Sequence, residues 1–157
     1  MIEKIISGGQ TGVDRAALDC AIALHIPHGG WCPTGRKAED GRLDDRYRLV
    51  ELDSNEYADR TRKNVEDSDG TLVLTREALE GGTALTVTFA ENTGRPVMAV
   101  DLDNPPQQQE IRNWLTANKI KRCNVAGPRE SKQPGIYRQA YAYLYSLLTD
   151  PEYSGSE

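Results

Sequence analysis

Cysteine, aromatic residues and long apolar runs are all scarce in this sequence, and each scarcity removes a class of protein. The three cysteines, Cys20, Cys32 and Cys123, are far apart and odd in number. They do not make the paired framework of a small secreted domain, and a reducing cytoplasm is their natural setting. No Cys-x-x-Cys or Cys/His cluster suggests zinc, and no metal site is expected. One phenylalanine, two tryptophans and seven tyrosines are too few for a stacking platform on single-stranded nucleic acid. No apolar stretch approaches the roughly 20 residues of a membrane span. The N-terminus, Met1-Ile2-Glu3-Lys4-Ile5-Ile6, runs straight into a strand pattern and lacks a signal-peptide core. Positive charge is short as well: 19 basic against 24 acidic residues leave a net charge of −5. That argues against nucleic acid or an anionic membrane as partner, while leaving room for a local cationic pocket.

What is present reads as one α/β domain over residues 1–149 with a polar tail over 150–157. A chain of 157 residues can bury roughly 68–70% of its unfolded surface without a covalent staple. Ile5-Ile6 ahead of two glycines reads as a buried first strand. Val13, Ala16, Ala17, Cys20, Ala21 and Leu24 recur at helical spacing, and Thr11 with Asp14 fits a capping box at the start of that helix. Residues 28–42 are broken by five glycines and prolines into a loop, with a short strand near 26–30. An extended edge is expected near 47–52, a polar helix over 55–65, and a buried strand at Thr71-Leu72-Val73-Leu74-Thr75. Then follow a helix from Gly81 to about Asn92, a strand over 96–102, a helix over 105–118, a strand over 122–126 and a closing helix over 134–148. Strands alternating with helices at these spacings predict a doubly wound, mostly parallel, Rossmann-like sheet flanked by helices.

In such sheets ligands bind at the carboxyl ends of strands, near helix N-termini. Two glycine-rich loops fall there. Gly8-Gly9-Gln10-Thr11-Gly12 offers close backbone approach, free helix-start amides and a favourable dipole for a phosphate, with Thr11 and Arg15 as further donors. A tight turn without ligand is the alternative. Gly81-Gly82-Thr83 repeats the arrangement, or simply caps its helix through Thr83. Neither G-x-G-x-x-G nor the Walker lysine-serine pair is present, which disfavours an ordinary dinucleotide dehydrogenase or P-loop enzyme. Trp31 is placed to stack on a flat heterocycle with Arg36 or Lys37 meeting an anion, or else Trp31 plugs the core edge and the charges are solvated. Glu39-Asp40 makes an acid–base pair or a solvated tip. Arg129 and Ser131, after the last strand, complete the pocket or serve the fold. No nucleophile stands out. Tyr137, Tyr141 and Tyr145 recur every four residues, giving a stripe suited either to a partner surface or to the core.

Five blocks together resemble the molybdenum carrier proteins. These are Ser7 to Asp19, Gly30-Trp31-Cys32-Pro33-Thr34-Gly35-Arg36, Asn64-Val65 with Asp67 to Thr71, Gly81-Gly82-Thr83, and Asn124 to Ser131. The resemblance implies a Rossmann-like fold, a homo-oligomer (dimer or tetramer), and binding of molybdenum cofactor, a pterin with a terminal phosphate and dithiolene-held molybdenum. Partners would be that small molecule together with molybdoenzymes or cofactor-synthesis proteins. The phosphate would lie on Gly8 to Gly12 and the pterin near Trp31. The same architecture resembles a wider nucleotide-binding superfamily that includes the cytokinin-activating phosphoribohydrolases, whose loop reads P-G-G-x-G-T-x-x-E. Here the stretch is Glu80-Gly81-Gly82-Thr83-Ala84-Leu85-Thr86, without the second glycine spacing or the glutamate. The expectation is a binding or carrier protein, with a nucleotide sensor or phosphoribohydrolase-like hydrolase as the alternative.

Overall fold

The structure, a computed structural model, describes residues 1–76 and 79–149; the tail expected over 150–157 lies outside them. In chain order the elements begin with β1 (Lys4–Ile6), α1 (Val13–Ala23), β2 (His28–Gly29) and β3 (Trp31–Cys32). A 3-10 turn (Thr34–Arg36), β4 (Lys37–Ala38), β5 (Gly41–Arg42), β6 (Val50–Glu51) and α2 (Tyr57–Glu66) follow. The chain continues through β7 (Gly70–Thr75), α3 (Gly81–Asn92), β8 (Val97–Asp101), α4 (Gln108–Ala117), β9 (Arg122–Ala126) and α5 (Ile136–Thr149). Among the described residues no helix is long and apolar enough to cross a membrane.

Five strands form one parallel sheet in the order β2-β1-β9-β7-β8, the Rossmann-like arrangement that the alternation of elements predicted. The last strand lies in the middle, between the first and β7. If the chain were closed from α5 to β1 and opened before β7, the order would read 2-1-3-4-5, a doubly wound order whose ligand crevice lies at the switch point. That point falls between β7 and β9.

The two faces of the sheet differ in chemistry because successive side chains point to opposite sides. On one face Ile5, Leu72, Leu74, Val100, Cys123 and Val125 pack against α1, α4 and α5 in a single apolar core. The helices bury the stripes their sequence periodicity marks: Ala16, Ala17, Cys20 and Ala21 from α1, Ile111 and Leu115 from α4, and Ile136, Ala140, Leu144 and Leu147 from α5. The opposite face carries Thr71, Val73, Thr75 and Asn124, all buried, beneath α3 and its neighbour α2. A smaller core of Leu18, Cys32, Leu43, Tyr47 and Leu49 sits under the segment between β3 and β6.

Three local expectations are corrected. Residues 28–42 are more ordered than a broken loop, with β3 pairing parallel to β6 and β4–β5 forming a hairpin. The capping box does not form: Gly12 is the N-cap of α1, with no side-chain cap, and Asp14 is turned to Arg60. Thr83 does not cap α3, whose N-cap is Glu80.

Candidate functional site

Three connections meet at the carboxyl edge of the sheet: the segment after β1, the approach to α3, and the loop after β9. Between them and α2 lies a cavity of about 370 Å³. Its floor is Gly8, Gln10, Asp14 and Asn124, and Ala126 to Arg129 form one wall. Tyr57, Arg60, Thr61 and Asn64 of α2 form a second wall, with Gly82, Thr83, Leu85 and Thr86 of α3 facing them. Lys132 and Gln133 close the rim beside Glu80. The lining mixes neutral amides and hydroxyls with three cations (Arg60, Arg129, Lys132) and two carboxylates (Asp14, Glu80), a set able to read a polar ring and an anion together.

The first glycine loop is closely packed on the side where a Cβ would stand. A Cβ on Gly8 would meet the Arg60 guanidinium, with Nη1 at 1.6 Å. One on Gly9 would meet Leu49 and Leu43 at 2.8 and 2.9 Å, and one on Gly12 the carbonyl oxygen of Pro128 at 2.3 Å. These glycines make room for the protein itself. The anion at this helix start is also the protein's own: Asp14, 4% exposed, accepts a hydrogen bond from Arg60 Nη1 at 3.0 Å. Burial pushes the Asp14 carboxyl above its ordinary pKa, while Arg60 and backbone bonds from Gln10 and Gly127 work the other way. Arg60 lies over the Tyr57 ring at 5.2 Å, and its Nε is buried without an acceptor among the described residues. An unpaired buried N–H is costly unless something completes it.

The second glycine loop is open. A Cβ on Gly82 would meet nothing within 4 Å, and one on Gly81 only Lys132 Nζ at 3.7 Å. Gly81 has φ of 51°, a left-handed conformation that suits glycine. Among the described residues the Gly81 and Gly82 amides have no protein acceptor. Thr83 and Thr86 sit behind them at the cavity wall. Free amides, a helix dipole and a nearby ammonium together form an anion-binding arrangement.

The other nominated residues lie in separate places. Gln10 lines the cavity, but its side chain is spent: Nε2 donates to Tyr57 and Oε1 accepts from the amides of Thr11 and Glu39. Thr11, Gly12, Arg15 and Ser131 line a second, more open cleft, bordered by the β4–β5 hairpin. Arg129 lines the first cavity, and its Nε lies 3.7 Å from Glu39 of the second cleft. Arg36 belongs to neither. It is 9% exposed and donates to the carbonyls of Leu43, Asp44, Tyr47 and Leu49, which leaves no edge for a ligand. Trp31 also stands outside the cavity. Its backbone is held by the Asn64 amide at 2.8 and 3.1 Å, its indole N–H donates to Asp67, and Lys63 covers one ring face. Trp31 positions α2 instead of stacking in the pocket.

Sequence reasoning missed Asp14, Tyr57, Arg60, Asn64 and Lys132 as lining residues. Arg60 and Asp14 are 46 positions apart, and nothing in a polar helix pattern links them. The Asn64 and Asp67 segment did stand out within the resembling blocks, without a role. The thiols are set aside by burial, which pushes Cys20 and Cys123 up to about 12.

A parallel sheet with a crevice at its switch point defines the class, a Rossmann-like α/β protein. A model described as the circularly permutated YpsA SLOG family matches residues 5–148, and the chain belongs to that family. A permuted chain is consistent with the strand order, in which the last strand lies between the first and β7. A crystal structure described as "Putative molybdenum carrier protein" from Syntrophus aciditrophicus SB is 47% identical, covering 94% of this chain and 96% of that one, with a TM-score of 0.90. No curated protein matches with significance.

Proposed function

We propose that the cavity binds a small phosphate-bearing heterocycle, and that the protein carries molybdenum cofactor. The observation that supports this most is the open N-terminus of α3: Gly81 and Gly82 in open space, with Lys132 Nζ near Gly81, beside a cavity of about 370 Å³. The phosphate lies there instead of on Gly9 or Gly12, neither of which lines that cavity. The ring system lies against Tyr57, Asn64 and Asn124, with Arg60 on the same wall. The residues fit such a group in number and type. The cofactor's own dithiolene holds the molybdenum, so the chain's side chains need only grip and shield. The name printed for the relative from Syntrophus supports the same ligand. The Asp14 carboxylate in the cavity is tied to Arg60, which suits retention better than turnover.

Calorimetry with a pterin monophosphate, a nucleoside monophosphate and inorganic phosphate tests the reading. The pterin is expected to bind most tightly, to be returned unchanged, and to lose about tenfold in affinity in Lys132→Ala, the scale of one charge-assisted contact. Preferential binding of the nucleotide, or release of free base, overturns the carrier reading in favour of a sensor or hydrolase. We extend the proposal to a homo-oligomer through α5, where Tyr137, Tyr141 and Tyr145 stack at 6.2 and 6.1 Å and Tyr145 is 44% exposed. Light scattering of the parent and of Tyr145→Glu checks it: an oligomer that dissociates in the variant is expected, and a monomeric parent contradicts it.

A further inference from the structure

Four of the residues that sequence reasoning nominated for phosphate already hold anions, and those anions belong to the β4–β5 hairpin. Glu39, at its tip, accepts from the Thr11 hydroxyl, from the Ser131 amide at 3.1 Å and from the Ser131 hydroxyl at 2.6 Å. Arg129 Nε lies 3.7 Å from the same carboxylate. The neighbouring Asp40 receives both terminal nitrogens of Arg15 at 2.9 and 3.0 Å. Two hydroxyls, an amide and two guanidiniums converge where only acceptors fit. Such a set matches any compact oxyanion as well as it matches a carboxylate. Thr11, Arg15 and Ser131 also line the second cleft, so there is space beside them.

The hairpin is small. Its strands are two residues each, and Gly41 at φ 116° has nothing within 4 Å of its missing Cβ. Its base is held, because Arg36, just before it, donates to the carbonyls of Leu43, Asp44, Tyr47 and Leu49 just after it. The Asp40 side chain is 52% exposed, and exposed ion pairs hold weakly. Glu39 is the more firmly held half of the tip, its side chain 22% exposed and its amide donating to Gln10 Oε1 at 2.8 Å, so opening at residues 37–42 exchanges all of these contacts for those of the incoming anion.

We propose that Thr11, Arg15, Arg129 and Ser131 form a second oxyanion site, of the phosphate-monoester type, which the Glu39–Asp40 tip occupies as an internal stand-in and vacates when the ligand arrives. The site is distinct from the α3 terminus and does not depend on the ligand assigned there. Competition by the tip lowers the apparent affinity by the fraction of time the site is open.

The test is an amide chemical-shift titration of the full chain with inorganic phosphate against chloride at equal ionic strength. It reads Ser131 and Gly82 separately, so failure of one site does not decide the other. In the double variant Glu39→Gln, Asp40→Asn the Ser131 amide is expected to saturate at roughly tenfold lower phosphate than in the parent, with the Gly82 response unchanged. Adding Thr11→Val and Ser131→Ala should remove the gain, read at Arg129. Equal or weaker affinity at residue 131 in the double variant, or a gain that survives the added changes, overturns the proposal. The parent chain supplies an independent readout: phosphate should speed hydrogen exchange of the 37–42 amides where chloride does not. Exchange unchanged while Ser131 is saturated would equally overturn it.

Discussion

The two faces of the central sheet use the same strands for opposite purposes. Toward α1, α4 and α5 the buried positions are Ile5, Leu72, Leu74, Val100, Cys123 and Val125; toward α2 and α3 they include Thr71, Thr75 and Asn124. The helices follow suit. The buried residues of α5 are Ile136, Ala140, Leu144 and Leu147, whereas α3 buries Thr83, Thr86 and Ala90, and α2 buries Thr61, Asn64 and Val65. Buried hydroxyls and amides contribute little apolar transfer energy and must each find a partner. Asn124 finds Thr71 at 3.3 Å and Asn64 finds the Trp31 backbone. One face therefore stabilises the fold, and the other presents hydrogen-bonding groups to the cavity.

The comparison breaks most visibly in stability. Leu144→Ala, 2% exposed in the apolar core, is expected to cost about 2–5 kcal/mol in denaturant unfolding, with ligand affinity per folded molecule unchanged. Arg60→Leu bridges the two faces. It strands the Asp14 carboxylate, whose side chain is 6% exposed, and is expected to cost about 3–5 kcal/mol. Asp14→Asn in the same background should recover much of that loss, because no charge is then left unpaired. Thr86→Val on the polar face is smaller: its hydroxyl donates to the Gly82 carbonyl at 2.9 Å, and about 1 kcal/mol or less is expected in stability. Its larger effect should be on ligand affinity, read by calorimetry.

The smallest effect is a pH dependence of the hairpin. Desolvation opposes ionisation of Glu39, yet hydrogen bonds from Ser131 and Thr11, with Arg129 close by, hold its carboxyl below the ordinary value. The bond from Arg15 does the same for Asp40. Groups with folded pKa values depressed contribute stability above their unfolded values and lose it as pH falls through the folded ones. Exchange protection of residues 37–42 should thus be flat near neutrality and decline only in acid, below the usual carboxylate range. A decline already complete at pH 6 would contradict this.

Much of the apolar half was readable in the sequence. Ile5-Ile6, Thr71 to Thr75 and the helical spacing of Ala16, Ala17, Cys20 and Ala21 mark elements whose burial the structure bears out. Strand order was not readable, because the position of β9 between β1 and β7 depends on pairing across the chain. The β4–β5 hairpin escaped notice because strands of two residues carry no alternation. On the polar half, composition pointed to both glycine loops, but it could not say which was filled. Gly8 admits Arg60, Gly9 admits Leu43 and Leu49, and Gly12 admits the Pro128 carbonyl; all three are long-range contacts. Substituting these glycines would therefore disturb the fold before it reported on a ligand, whereas Gly82 faces open space.

That asymmetry between the two loops is the claim most directly open to measurement. Titrating the full chain with a pterin monophosphate while following backbone amide shifts compares them in one experiment. The account expects the largest shifts at Gly81, Gly82 and Thr83, with Gly9 and Gly12 nearly still. Large shifts at Gly9, Gln10 and Gly12 with a silent Gly82 would place the phosphate on the first loop and contradict it.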